Sequence, residues 1–169
     1  MNLANTILTD PVRVEVSPVS STVDTVQQKL YMVDKFNKSN LFTTQLSALE
    51  PDLVIVSLGT NDNYLPESRY CRYCIKDNLR TMLDNIRLSR PGVSILLVTP
   101  GDFLLKNGSH NNNNEIYREV LFELADEYNC GVWDFNTVMG GDYSIKCWTK
   151  QGLARTDYVH FSRKGYEIT

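Results

Sequence analysis

The residue types best suited to acyl-transfer chemistry stand near the end of the chain, where Asp157 precedes His160 by three positions. A carboxylate at this spacing can accept the Nδ1–H of the imidazole, which fixes the tautomer and leaves Nε2 free as a base near neutral pH. An ordinary surface histidine beside an aspartate shows the same pattern. The other histidine of the chain, His110, stands in an asparagine-rich loop, and we interpret it as a solvated residue.

A second candidate is the sequence Gly-Thr-Asn-Asp at positions 59–62, which directly follows an apolar run. Gly59 allows the backbone to turn sharply, and Asn61 can then offer an amide N–H beyond the end of the preceding strand. A fixed donor at that place suits stabilisation of the oxyanion that forms during acyl transfer. Taken by itself, the motif favours the simpler role, in which Asn61 and Asp62 cap a turn.

The elements that must position these residues alternate between strands and helices. Apolar runs bounded by turn residues predict three strands, the first of them buried on both faces, at residues 53–58, 94–98 and 132–135. Apolar residues at helical spacing predict helices over about 41–49, 76–89 and 115–128. Asn111 to Asn114 form a polar loop that can cap the third helix.

This alternation predicts right-handed crossovers and a parallel sheet between helices. In open parallel sheets, ligands bind beyond the carboxyl ends of the strands. Residues 59–62, residues 99–102 and the stretch after Phe135 occupy those ends and contain polar residues and glycines. We therefore expect them to line a cleft, with the turns at the opposite edge serving only as connections.

Composition excludes several classes of function. The formal net charge is −3 and the Lys and Arg residues are scattered, so a nucleic-acid partner is not expected. No run approaches the roughly 20 apolar residues that span a membrane, and the first residues lack the pattern of a signal peptide. Cys71 and Cys74 form a C-x-x-C motif, which fits a local disulfide or plain thiols better than half of a zinc site.

Together, the two motifs resemble the SGNH (GDSL-like) hydrolase superfamily over about residues 41–169. Its G-x-N-D block matches positions 59–62, and its D-x-x-H block matches Asp157 and His160, followed by a glycine-aromatic pair at 165–166. The resemblance implies an α/β three-layer sandwich with a parallel flavodoxin-like sheet, incomplete at both ends. It also implies that His160 is the general base, that Asp157 orients it, and that Asn61 with Gly59 forms the oxyanion hole. No metal or cofactor is expected.

The chain resembles one branch of this superfamily more closely than the others. Residues 51–61, Trp133-Asp134 and Met139-Gly140-Gly141 look like bacterial peptidoglycan O-acetylesterases, which remove acetyl groups from cell-wall sugars, often outside the cytoplasm. The resemblance therefore implies an O-acylated carbohydrate or another small ester as substrate, and an extracytoplasmic location. Trp133 and Trp148 could stack on a sugar ring, although an aromatic residue near a sheet more often belongs to the core.

The sequence departs from the family at its first two blocks. No G-D-S carries a nucleophilic serine, and no glycine stands near Leu30-Tyr31, where the second block is expected. We therefore expect a fragment without its nucleophile, which is inactive by itself. Residues 1–34, with Val12, Val14 and Val16 alternating as in a strand, would be an N-terminal segment, the end of an inserted domain; residues 35–169 would be a partial hydrolase domain.

Two alternatives remain open. The chain could be a non-catalytic member of the same fold, binding glycans or serving as a scaffold. A weaker alternative is a zinc-dependent module that uses Cys71 and Cys74.

Overall fold

The computed structural model describes residues 30–34 and 36–168. The chain divides after Asn37 into two units, and the second, from Lys38 onward, contains the candidate site. Most of the predicted N-terminal strand segment, including Val12, Val14 and Val16, lies outside the described residues. Residues 30–34 have no regular secondary structure. The predicted domain boundary after residue 34 therefore stays a prediction.

Strands and helices alternate through the second unit as expected. The elements are α1 (Lys38–Leu49), β1 (Leu53–Ser57), α2 (Thr60–Asn63), α3 (Arg72–Ser89), β2 (Ser94–Val98), α4 (Asn112–Tyr128), β3 (Gly131–Trp133), α5 (Phe135–Met139), α6 (Ser144–Lys150) and α7 (Arg163–Tyr166). All three predicted strands and all three predicted helices are present, with ends shifted by a few residues. The short helices α2, α5 and α6 were not predicted from the sequence, because they contain little periodic signal.

The strands form a parallel sheet in the order β1-β2-β3. Val54 is level with Ile95 and Val56 with Leu97, while Leu97 is level in turn with Val132. The predicted α/β class with a parallel sheet is confirmed. Because the strands run in one direction and in register, their carboxyl ends meet at one edge of the sheet, where the loops after β1 and β2 lie side by side.

The main core lies between one face of the sheet and helices α1, α3 and α4. It is formed by alternate strand residues and by the apolar stripes of the helices, with Val56, Ile95, Leu97, Leu83, Ile86, Val120 and Leu124 among the most buried. Burial of one such side chain contributes roughly 1.5–3 kcal/mol. The sequence predicts Leu79, Met82, Leu83 and Ile86 as the inner stripe of the second helix. Leu79, Leu83 and Ile86 are buried there, and Met82 is partly buried against the same core. This core fixes the position of the strands β1 and β2, which lead into the loops of the candidate site.

The prediction that β1 is buried on both faces is wrong. Leu53 is 49% exposed and Ile55 is 59% exposed, because successive side chains of a strand point to opposite faces and the helices cover only one of them. A continuous apolar run indicates that both faces are apolar. It does not show whether a packing partner covers each face, and β1 is an edge strand of the described sheet.

A second, smaller apolar cluster supports the C-terminal part of the unit. Leu104, Met139, Ile145 and Ala154 are buried there, and Phe135, Trp148 and Phe161 pack against them. The Trp148 indole donates to the carbonyl of Met139 at 3.0 Å. This cluster joins α5 and α6 to the loop that carries Asp157 and His160. Within the described residues, no helix has both the length and the apolar character needed to cross a bilayer.

Candidate active site

Asp157 and His160 form a hydrogen-bonded pair. The Oδ2 atom of Asp157 lies 3.0 Å from Nδ1 of the His160 ring. Its Oδ1 atom accepts the backbone N–H groups of Val159 at 2.9 Å and of His160 at 3.0 Å. One carboxylate therefore closes the turn and also fixes the orientation of the imidazole, which leaves Nε2 directed away from Asp157.

The loop that carries this pair is closed at its base. Ala154 and Phe161 form an antiparallel bridge, and the N–H of Arg155 donates to the carbonyl of His160 at 2.8 Å. Tyr158 has a φ of 57°, a left-handed conformation that lets the turn fit between these two ends. The aromatic ring of Phe161 packs against Trp148 and Phe135, so the small apolar cluster holds the loop in place.

The electrostatics of the pair suit a base and its orienting carboxylate. Partial burial raises the pKa of Asp157, but hydrogen bonds from the backbone of His160 and Val159 and from the His160 ring lower it more, to about 2. The carboxylate is therefore ionised at neutral pH. An ionised carboxylate at Nδ1 stabilises the imidazolium that forms when Nε2 takes a proton.

Asp157, His160 and Asn61 all line one cleft of about 890 Å³ beyond the carboxyl ends of β1 and β2. The segments 59–62 and 157–160 therefore meet, although about a hundred residues separate them in the chain. The loop 99–108 lines the same cleft. The aromatic residues among the described lining are Tyr64, Phe103, Phe135, Tyr158, Phe161 and Tyr166. The geometry brings the sequence-predicted residues together, and their catalytic roles stay predictions.

Gly59 lies at the turn between β1 and α2, and its predicted part in the oxyanion hole stays a prediction. It precedes α2 with a φ of 113°, and the described residues that line the cleft include Thr60 and Asn61 but not Gly59. A β-carbon at this position would come within 2.4 Å of the Tyr117 ring. The absence of a side chain allows Tyr117 to pack under the turn, which places Asn61 at the cleft.

A buried asparagine network, which the sequence pattern did not predict, positions this turn. The Asn63 side chain donates to Asn114 Oδ1 at 3.2 Å, while Asn113 donates to the carbonyls of Asn63 at 3.0 Å and Leu65 at 2.7 Å. Asn114 also donates to the carbonyl of Gly101 at 3.1 Å. The start of α4 thus ties the loop after β1 to the loop after β2.

The predicted capping role of this asparagine run is confirmed, because the Asn111 side chain accepts the N–H of Asn113 at 3.2 Å. The prediction of a loop is wrong for Asn112, Asn113 and Asn114, because they form the first turn of α4. Asn111, Asn113 and Asn114 are also buried. A helix N-terminus needs one capping side chain, so the excess of asparagines at 111–114 was the signal available in the sequence.

Asp134 links the third strand to the cleft. Burial raises the pKa of its carboxyl, but hydrogen bonds from Arg118, Thr137 and Thr99 lower it more, to about 2. Arg118 binds both carboxylate oxygens, at 3.1 and 2.6 Å. The Thr99 hydroxyl donates to Asp134 at 3.0 Å and accepts the N–H of Asn136 at 3.1 Å. These bonds fix the start of the loop after β2.

The structure also locates His110, the C-x-x-C cysteines and the two tryptophans. His110 is not a solvated loop residue, because its side chain is only 20% exposed and lies between Asp142 and the Tyr143 ring. Cys71 and Cys74 form a disulfide, which leaves no thiolate pair for zinc. Neither Trp133 nor Trp148 is among the described residues that line the cleft.

The sequence also matches a known protein family. The sequence profile of the GDSL-like lipase/acylhydrolase family matches residues 20–168. The chain belongs to this family. No curated protein matches the chain significantly.

Solved structures support the same assignment for this GDSL-like family member. A peptidoglycan O-acetylesterase structure superposes with a TM-score of 0.65 and 28% identity, covering 75% of this chain and 37% of the other. The native aryl esterase of M. smegmatis has a TM-score of 0.57 and 18% identity, with 77% and 61% covered. A catalytic mutant of an acetylxylan esterase from Geobacillus stearothermophilus has a TM-score of 0.52 and 23% identity, with 75% and 63% covered.

The last two likenesses concern the fold alone. The GDSL-like chain spans little more than a third of the length of the peptidoglycan O-acetylesterase and less than two thirds of the other two. Family and fold together support the general class of ester hydrolase.

Proposed function

We propose that this chain supplies the general base, its orienting carboxylate and an oxyanion-hole donor to a serine esterase that removes acetyl groups from O-acetylated carbohydrate, peptidoglycan in particular. The observation that carries the proposal is the Asp157–His160 pair, with Oδ2 and Nδ1 3.0 Å apart, on the same cleft as Asn61. Neither motif is specific by itself. Their meeting at the carboxyl edge of a parallel sheet is what a serine esterase of this family requires.

The three residues act together in the proposed reaction. His160 Nε2 takes the proton of a serine hydroxyl while the serine oxygen attacks the ester carbonyl, and Asp157 stabilises the imidazolium. Asn61 donates to the carbonyl oxygen as it becomes an oxyanion. The imidazolium then protonates the sugar oxygen as its bond to the acyl carbon breaks, and the sugar leaves with a free hydroxyl. Water next attacks the acyl-serine while His160 takes its proton, and the imidazolium returns that proton to the serine oxygen as acetate leaves. Because the sequence contains no G-D-S, the serine is supplied by a segment outside these 169 residues.

The cleft is large enough for an acetylated sugar. Its volume of about 890 Å³ suits a small ligand of one or a few rings. The side chains of Tyr64 and Tyr166 line the cleft and are exposed, so they offer ring faces of the kind that sugars pack against. The preference for peptidoglycan rests on the 28% identity with the peptidoglycan O-acetylesterase. A cell-wall substrate implies that the reaction takes place outside the cytoplasm.

The test uses the natural protein that contains these residues together with its serine-bearing segment. Acetate release from O-acetylated peptidoglycan and from acetylated xylan would be measured alongside hydrolysis of 4-nitrophenyl acetate. We expect His160→Ala to lower kcat by about 1000-fold or more on every substrate that is turned over. Faster release from peptidoglycan than from xylan would support the substrate preference.

Asp126→Asn provides the matched control, because Asp126 is an exposed carboxylate on α4 outside the set of cleft-lining residues. It should keep wild-type kcat. Equal rates for wild type and His160→Ala would refute the assignment of the base. Glycan binding without any turnover would instead support the alternative, a non-catalytic glycan-binding or scaffold member, which the missing G-D-S favours.

A further inference from the structure

The loop that forms one wall of the cleft continues into a cluster of three side chains that can bind a metal. Ligand atoms of Asp102, His110 and Asp142 all lie within 4.8 Å of one another. Asp102 and His110 come from the loop between β2 and α4, and Asp142 comes from the turn between α5 and α6. We propose that this cluster binds a divalent transition-metal ion, such as Zn²⁺, and thereby fastens the two loops together.

Asp102 provides a buried carboxylate without a matching cation. Asp102 is only 2% exposed, and its Oδ2 atom accepts the N–H of Ile145 at 2.9 Å. Among the residues that the structure describes, no Lys or Arg lies within ion-pair distance of Asp102. Burial of a charge without a partner is costly, and a bound metal ion would provide the missing positive charge.

His110 provides an imidazole that packs beside the Tyr143 ring but has no hydrogen bond to its nitrogens from the described residues. Its Nδ1 atom is buried and has no hydrogen-bond partner in the described part of the chain. Its Nε2 atom lies 3.9 Å from Asp142 Oδ1, too far for a hydrogen bond. A buried polar atom without a partner destabilises a fold, whereas a ring nitrogen with a free lone pair is the form that binds metal.

The spacing and the donor set suit a small divalent ion. Ligands bound to one Zn²⁺ at roughly 2.0–2.2 Å stand about 3.4 Å apart in tetrahedral geometry. The cluster is slightly wider than this, and Asp142, whose side chain is 63% exposed, can rotate inward to close it. Two carboxylates and one neutral imidazole neutralise a divalent ion. Nitrogen and oxygen donors without thiolate favour Zn²⁺, Co²⁺ or Mn²⁺ over Cu⁺.

The position of the cluster gives the ion a structural role beside the cleft. Asp102 and the neighbouring residues Phe103, Leu105 and Lys106 line the cleft, whereas His110 and Asp142 are not among its lining residues. A metal ion at the cluster would therefore lie on the side of the loop that faces away from the cleft. It would hold the loop after β2 in one arrangement, and it would not contact the Asp157–His160 pair.

The test titrates the chelator-treated 169-residue chain with Co²⁺, whose visible spectrum reports its ligands. We expect binding with d–d bands and without thiolate charge-transfer bands, displacement by Zn²⁺, and a higher Tm with metal. Asp142→Asn and His110→Gln should each weaken binding by at least about tenfold. His160→Ala is the matched control, because it removes the other histidine, which also has a carboxylate neighbour, and it should keep the wild-type affinity.

Three results would overturn the proposal. These are no Co²⁺ binding below millimolar concentration, unchanged affinity in Asp142→Asn, and thiolate charge-transfer bands that disappear when Cys130 or Cys147 is replaced. Asp142 is exposed, so its variant keeps the fold and remains decisive even if His110→Gln does not fold. Because the readout is metal affinity and not ester hydrolysis, the outcome is independent of the proposed function.

Discussion

Gly59 lies directly against the ring of Tyr117, so that a β-carbon at Gly59 would come within 2.4 Å of Tyr117 Cζ. The glycine also has a φ of +113°, which side chains rarely allow. Tyr117 is buried and has little room to retract. We therefore predict that Gly59→Ala lowers the free energy of unfolding by about 2–4 kcal/mol, as measured by urea denaturation.

Gly92→Ala separates the steric contribution from the backbone contribution. Gly92 also has a positive φ, +80°, but a β-carbon there would meet nothing within 4 Å. Its substitution should cost about 1 kcal/mol, the backbone penalty alone. Equal losses in the two variants would show that the contact with Tyr117 does not constrain the turn before Asn61.

The asparagine network predicts a large cost for one polar truncation. Asn63→Ala removes the acceptor of the Tyr70 hydroxyl, 3.1 Å away, and the donor to Asn114 Oδ1. Both partners would remain in place with unmet hydrogen bonds, so we expect a loss of about 2–4 kcal/mol in urea denaturation.

Asn112→Ala is the control for this network, because Asn112 belongs to the same asparagine run but is exposed and donates to Glu67 at the surface. It should change the free energy of unfolding by no more than about 0.5 kcal/mol. Similar losses for Asn63→Ala and Asn112→Ala would contradict a buried network that holds the turn.

Asp134 should make stability depend on pH in the acid range. Its folded-state pKa is about 2, below the roughly 3.9 of an unfolded aspartate. The contribution of the carboxylate is therefore fully present above about pH 4 and is lost as pH falls toward 2. Asp134→Asn should be less stable than wild type by about 2 kcal/mol at pH 7, and the two stabilities should converge near pH 2. Thermal unfolding of both proteins between pH 2 and 7 measures this difference. A stability difference that stays constant across the pH range would contradict the prediction.

In the proposed esterase, Asp157→Asn should lower kcat by about 100-fold or more and change KM little, because Asp157 acts on the imidazolium and not on the substrate. Asparagine keeps an oxygen that can accept the N–H groups of Val159 and His160, so the turn should persist. Steady-state kinetics on 4-nitrophenyl acetate measure both constants. A rise in KM at constant kcat would show that Asp157 serves only to shape the cleft.

Local patterns were sufficient to predict much of this fold. The apolar runs at 53–58 and 94–98 predicted β1 and β2, and the helical stripe of Leu79, Met82, Leu83 and Ile86 predicted α3. Strand and helix periodicities are properties of neighbouring residues, so they can be recognised in the sequence. Strand–helix alternation then predicted a parallel sheet. With all carboxyl ends at one edge, residues 59–62 and the loop after β2 had to face one cleft.

Only the tertiary structure decided which polar residues are buried and which apolar residues are not. Asn113 and Asn114 resemble a solvated loop in the sequence, yet they hold the turn after β1. His110 likewise faces Asp102 and Asp142, and Ile55 in an apolar strand is exposed. The physical reason is that burial depends on what distant segments bring to each face. Sequence periodicity shows how a residue is oriented along its own element, but the partner that covers it is determined only when the chain packs.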